Sequence, residues 1–242
     1  MNEFDPIPNP VEATKPNHML LWTGVIFSFL LLLISMLLFG VVGRLFHPSA
    51  VGYYTGSRIM FWICLGILLV YVYRVEKQPL LLWKDENRSF LFYLAAIPAL
   101  IGIVFFGSAF VGILLKYLHL GESSKRMSQV IDLFRTNIGL AIFTCLTAAV
   151  VEELFFRGYI MPRLKILVKK DYLVVLISSF LFGILHFGYG TVSNVVVPVY
   201  IGAVFAVFYL KFRDIKTLIA VHFLWDFMVL MINIIYLKHG KP

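Results

Sequence analysis

The sequence predicts an all-α, polytopic membrane bundle of about seven to eight transmembrane helices. Three observations carry that expectation. The chain is 60% hydrophobic and only 14% charged, and its mean hydropathy is +0.89, outside the range of soluble domains. Uncharged runs approaching or exceeding the roughly 20 residues that cross a hydrocarbon core recur along most of it. Lys and Arg gather in the segments between those runs, as in loops that meet lipid headgroups.

In order, the predicted spans are Met19–Gly43, approximately Gly56–Tyr73, Ser89–Leu115, a fourth beginning near Thr136, then approximately Tyr172–Phe187, Val192–Leu210 and Thr217–Leu237. A tail over residues 1–17 carries Glu3, Asp5 and Glu12. It lacks the basic start and short apolar core of a cleavable signal, so Met19–Gly43 reads as a span and the tail as disordered. Arg44–Arg58 reads as a connection with Pro48, Gly52 and Gly56, and Pro79–Trp83 as an interfacial stretch. Ser89–Leu115 is 27 uncharged residues long, with Pro98 as a kink point. Within the long polar connection 116–135, Val130–Arg135 reads as a short amphipathic turn. Gly158–Asp171, with Arg163, Lys165, Lys169 and Lys170 among apolar residues, reads as a basic surface segment. A C-terminal tail covers 238–242. The organisation expected is thus tail 1–17, spans 1–3 with their long loop over 18–135, a core over 136–237, and the tail 238–242.

The net charge of +8 does not indicate nucleic acid, because the basic residues are dispersed over loops. Cys64 and Cys145 fall inside apolar runs and read as small buried hydrophobes. With seven spans, 13 Lys and Arg lie on the side of the N-terminus and 8 on the other, which favours a cytoplasmic N-terminus in the cell membrane.

Few ionisable groups stand inside the core spans. Glu152 and Glu153 follow the uncharged run Thr136–Val151, and Arg157 follows four residues after Glu153. On a helix Glu153 and Arg157 can pair, while Glu152 points about 100° away and stays free. His186 ends the fifth span, and His222 and Asp226 form an i, i+4 pair in the last. Taken singly, each has a structural explanation: a charged helix end, a hydrogen-bonded histidine, a polar pair joining two helices. Together they are costly, on the order of 2.5–3.5 kcal/mol per charge facing lipid at mid-depth. They should therefore converge on the bundle interior. A carboxylate base, two imidazoles and a balancing arginine, with no placed Ser or Cys nucleophile, suit activation of water and stabilisation of an oxyanion.

Glu152-Glu153-x-x-x-Arg157, Phe182-x-x-x-His186 and His222-x-x-x-Asp226, in this order, resemble the three motifs of the CAAX protease and bacteriocin-processing family, also called the Abi family, of intramembrane glutamic endopeptidases. The resemblance covers approximately Thr136–Leu237. It implies an all-helical membrane peptidase acting on a peptide or membrane-associated, sometimes prenylated, protein near its C-terminus. Glu152 would activate water with help from His186, Glu153 and Arg157 would be a supporting ion pair, and His222 with Asp226 would form the oxyanion side. Prenyl-protein members commonly carry Asn at the last position. A carboxylate there cannot donate, so Asp226 is expected to orient His222. No cofactor is expected; zinc is the alternative, although no His-Glu-x-x-His helix is present. A catalytically silent immunity or scaffold protein, or less favourably a proton-coupled transporter, could use the same cluster. Simple spans also place His186 on the order of 10 Å in depth from Glu152 and His222, a mismatch that tilt would have to absorb.

Overall fold

The computed structural model describes residues 17–121 and 124–239, with side chains to residue 235 in the last helix. The predicted tails lie outside the described residues, apart from Asn17 and 238–239. Helix α1 spans His18–Phe46, α2 Ala50–Tyr71, α3 Phe90–Tyr117, α4 Lys125–Thr136 and α5 Ile138–Glu153. Helices α6, α7, α8 and α9 span Met161–Val168, Asp171–Ile184, Ser193–Phe212 and Ile215–His239. Seven helical units among the described residues are long and apolar enough to cross a membrane. Large side chains such as Leu37, Phe106, Phe110 and Ile113 stand exposed on their outer faces, where lipid rather than water is the solvent. The protein is an all-α, multi-pass membrane bundle.

Two departures from the sequence reading matter for the site. Helix α2 begins six residues before Gly56, because Ser49 caps it: its Oγ accepts from the Gly52 amide at 3.1 Å. Arg58 is therefore not the end of a loop but the ninth residue of a membrane helix. Likewise, of the predicted surface segment Gly158–Asp171 only residues 165–171 reach the surface; 158–164 are buried. Helix α5 runs on through a π-helical stretch, Leu154–Ile160, into α6, giving one 31-residue span, Ile138–Val168.

That extension is buried because it carries its own charge partner. Arg163 Nη2 and Nε lie 2.7 and 2.9 Å from Glu76 Oε2, and the Tyr159 hydroxyl donates to Glu76 Oε1. Arg163 also donates to the Leu80 and Pro79 carbonyls, at 3.1 and 3.2 Å, so the 77–88 connection is drawn beneath the bundle. Every strong donor of the guanidinium is used, which makes a buried cation tolerable. Gly24 of α1 seals the cluster: a methyl there would overlap the Tyr159 hydroxyl. Since Arg157 and Arg163 are both buried, neither counts as a loop charge. With Arg58 likewise inside α2, the basic excess on the N-terminal side becomes 11 against 7, in the same direction.

Helix α4 is the amphipathic element expected at 130–135, extended to twelve residues. Val130, Ile131 and Phe134 are buried, and together with Ala141, Cys145 and Leu230 they form a small second core. Ser124 Oγ and Arg126 Nη1 donate to the Tyr189 and Gly188 carbonyls, each at 2.6 Å, and so pin the end of the α7 span. Helices α7 and α8 form the closest helix pair, with Ser179 and Phe182 packed on Gly202; small residues allow this approach in a membrane.

Removing one partner from the Glu76–Arg163 pair strands a buried charge. Arg163→Ala is expected to lower unfolding stability in detergent by about 3–5 kcal/mol, and Glu76→Ala plus Arg163→Ala by less than the sum. Denaturant unfolding of the two single variants and the double variant checks both statements.

Candidate active site

The site is built on α5, α7, α8 and α9 around two neighbouring carboxylates. Glu153 is fully buried, and its Oε1 serves two partners: Arg157 Nη1 donates to it at 3.1 Å, and His222 Nδ1 lies at 2.9 Å. Arg157, one turn further on, donates from Nη2 to the Gly202 carbonyl of α8 at 3.0 Å. Its guanidinium lies 4.7 Å from the centroid of the Phe182 ring and 5.4 Å from that of Phe205. Charge, hydrogen bonding and aromatic faces thus hold one buried cation in place.

The i, i+4 pairing of Glu153 with Arg157 read from the sequence is present. The structure adds that Glu153 also holds His222. A carboxylate beside Nδ1 fixes which ring edge points elsewhere; here Nε2 points toward Asp226, whose Oδ2 stands 3.5 Å away. That separation exceeds a well-formed hydrogen bond. Both carboxylates therefore border His222, Glu153 at the closer distance, and Asp226 stands at the outer edge of the imidazole, about one third exposed (35%).

Glu152 is half-buried and turned away from Glu153. Its Oε2 is buried and accepts no hydrogen bond from the described residues, so it is the free carboxylate that the sequence indicated. His186 lies on a short 3₁₀ segment, Leu185–Tyr189, that continues α7. Its Nδ1 stands 3.0 Å from the Phe182 carbonyl. A carbonyl only accepts, so Nδ1 donates to it, and in the neutral ring Nε2 is the nitrogen that presents a lone pair.

Phe182 is the common neighbour. Its ring centroid lies 5.0 Å from that of His186 and 6.1 Å from that of His222, while Arg157 sits over the same ring. Both imidazoles thus reach the same aromatic ring, although simple spans set them about 10 Å apart in depth. Glu152 stands near the middle of the 31-residue α5–α6 unit, not at the end of a shorter span. The sequence marked Phe182 only as a motif position. Nothing in the chain's order signals that the Gly202 carbonyl receives Arg157.

Among the described residues, no group of three or more His, Cys, Asp or Glu is arranged to hold a metal ion. His222 Nδ1 faces Glu153 and His186 Nδ1 faces a backbone carbonyl.

Partnering separates the two glutamates in stability. Glu153→Gln is expected to destabilise the bundle by on the order of 3 kcal/mol, because Arg157 loses its counter-charge in a fully buried place. Glu152→Gln should stay within about 1 kcal/mol of the wild type, since no partner is lost. Thermal unfolding of both variants in the same detergent makes the comparison.

No curated protein and no solved structure matches the chain. A family model does: residues 134–228 match the type II CAAX prenyl endopeptidase Rce1-like family. The matched stretch contains Glu152, Glu153, Arg157, His186, His222 and Asp226, and its helices converge on one buried polar cluster in a membrane bundle. Over this stretch, less than half of its length, the chain is similar to the type II CAAX prenyl endopeptidases.

Proposed function

We propose that the protein is a glutamate-dependent intramembrane endopeptidase of the cell membrane. It hydrolyses a peptide bond near the C-terminus of a peptide or membrane-associated protein, with or without a prenyl group. The observation that carries this reading is Glu152 Oε2, a buried carboxylate oxygen without a donor among the described residues, on the residue next to Glu153, which holds His222.

Glu152 takes a proton from water as the water oxygen bonds to the scissile carbonyl carbon. His186, through the lone pair on Nε2, orients that water. Negative charge moves onto the carbonyl oxygen, where the outer edge of His222, held from behind by Glu153, faces it. The C–N bond then breaks as the proton held by Glu152 passes to the departing amine. One water is consumed, and a carboxylate and an amine are released. Arg157 touches no reacting atom; its part is to hold Glu153 in register, so that His222 cannot turn. Asp226 borders the same edge of His222 and sets the local charge there.

Two measurements test this. Glu152→Gln should lower kcat/KM on a fluorogenic peptide by about 10²–10⁴-fold, the usual contribution of a general base, while the protein remains folded. Full activity in that variant would remove Glu152 from the chemistry. Dialysis against a zinc chelator should leave the rate unchanged. Loss of activity restored by one equivalent of zinc would replace glutamate–water hydrolysis with a metal-assisted reaction.

A further inference from the structure

Arg58 has no counterpart in the machinery above. It stands nine residues into α2, half-buried, in a segment that crosses the membrane. Its guanidinium rests 4.6 Å from the centroid of the Phe61 ring, and Nε lies 3.3 Å from Ser57 Oγ. Among the described residues no carboxylate lies within 4.0 Å of it, and its terminal Nη groups donate to no protein acceptor. A cation at this depth is costly unless an anion or water meets it. Both other buried guanidiniums in the bundle, Arg157 and Arg163, have carboxylate partners.

Arg58 lines a cavity of about 1070 Å³ between α1, α2 and the end of the α7 span. The walls are mainly apolar, with Phe29, Met36, Phe39 and Phe61 on one side and Leu185 and Tyr189 on the other. Those last two flank His186, so the cavity adjoins the candidate catalytic cluster. Two other arginines line it, but Arg44 is exposed near the end of α1, and Arg126 is already bonded to the Gly188 carbonyl. Arg58 is the deepest of the three.

Its distance from Glu152 can be gauged from one cross-helix bond. Trp62 Nε1, one turn beyond Arg58, donates to Thr147 Oγ1 of α5 at 3.0 Å. Helices α2 and α5 start on the same side of the bundle and run parallel. Four residues separate Arg58 from Trp62 and five separate Thr147 from Glu152, so the two levels differ by about 13 Å. An extended peptide covers that in about four residues.

We propose that Arg58 is the anchor for the free C-terminal carboxylate of the substrate, with the apolar cavity holding the few residues between that carboxylate and the scissile bond. This rests on the endopeptidase reading above. The carboxylate supplies the counter-charge that Arg58 lacks, in the bidentate geometry a guanidinium favours. Arg58 is then a specificity residue that makes the enzyme count from the chain end.

The test uses two internally quenched peptides with the same aliphatic C-terminal sequence, one ending in a carboxylate and the other in a carboxamide, and the full chain in phosphatidylcholine vesicles. Wild type is expected to favour the acid by about 10- to 100-fold in kcat/KM, mainly through KM, as for a charge-assisted hydrogen bond. In Arg58→Gln the ratio should fall toward one, and Arg58→Lys should retain part of it. Equal cleavage of both peptides by wild type, or an undiminished ratio in Arg58→Gln, overturns the proposal. So does a lipid role, seen as no discrimination by wild type together with a stability change in Arg58→Gln only when phosphatidylglycerol is added. Binding of the same pair to the Glu152→Gln protein, followed by fluorescence anisotropy, separates the two readings. Preference for the acid there, with no turnover by wild type, keeps the anchor and removes the peptidase.

Discussion

The constraint on which this bundle depends is the burial of one cation, Arg157, where neither water nor lipid headgroup can reach it. Glu153 neutralises it from the preceding turn, the Gly202 carbonyl receives its second nitrogen, and aromatic rings close around it. Each of those partners is on a different part of the chain, so satisfying the charge also fixes α5 against α8. Because Glu153 Oε1 is shared with His222, α9 joins the same arrangement. Three helices are thus held in register by a network that is expensive to break at any one point.

A second buried pair, Glu76 with Arg163, frames the opposite part of the same long helix. It ties α6 to the end of α2 and draws the 77–88 connection under the bundle, while α1 closes over it at Gly24. The two ion pairs differ in one respect. Arg163 and Glu76 are saturated with partners, whereas Glu153 Oε2, Arg157 Nε and Glu152 Oε2 are buried without one. The first pair serves the frame, and the second leaves polar capacity at the place where chemistry is proposed.

Local features of the sequence were readable because their causes are local. The seven apolar spans follow from run length, and the Glu153–Arg157 pair follows from helical spacing. The freedom of Glu152 follows from its angular offset. The amphipathic character of α4 was visible in Val130, Ile131 and Phe134. What failed were inferences that treated a charge as a boundary. Arg58 and Arg163 both lie inside helices, the first because Ser49 starts α2 early, the second because its counter-charge waits 87 residues upstream. No periodicity within a window can show such a partner. The length of the α5–α6 unit was hidden for the same reason, since it depends on that distant pair. The link from Glu153 to His222, across 69 residues, was equally hidden.

The π-helical stretch Leu154–Ile160 has a consequence for how one helix serves both networks. A π turn absorbs about one extra residue, so the helix beyond it lags by roughly 100°. Without that lag, Arg163 would stand within about 80° of Glu153 around the axis; with it, the two point in nearly opposite directions. The single span therefore has two phases, one turned to α8 and α9 and the other to α1 and α2. Residues on one side of the stretch can change without rotating those on the other, and the framework and the reactive face are free to diverge independently in sequence.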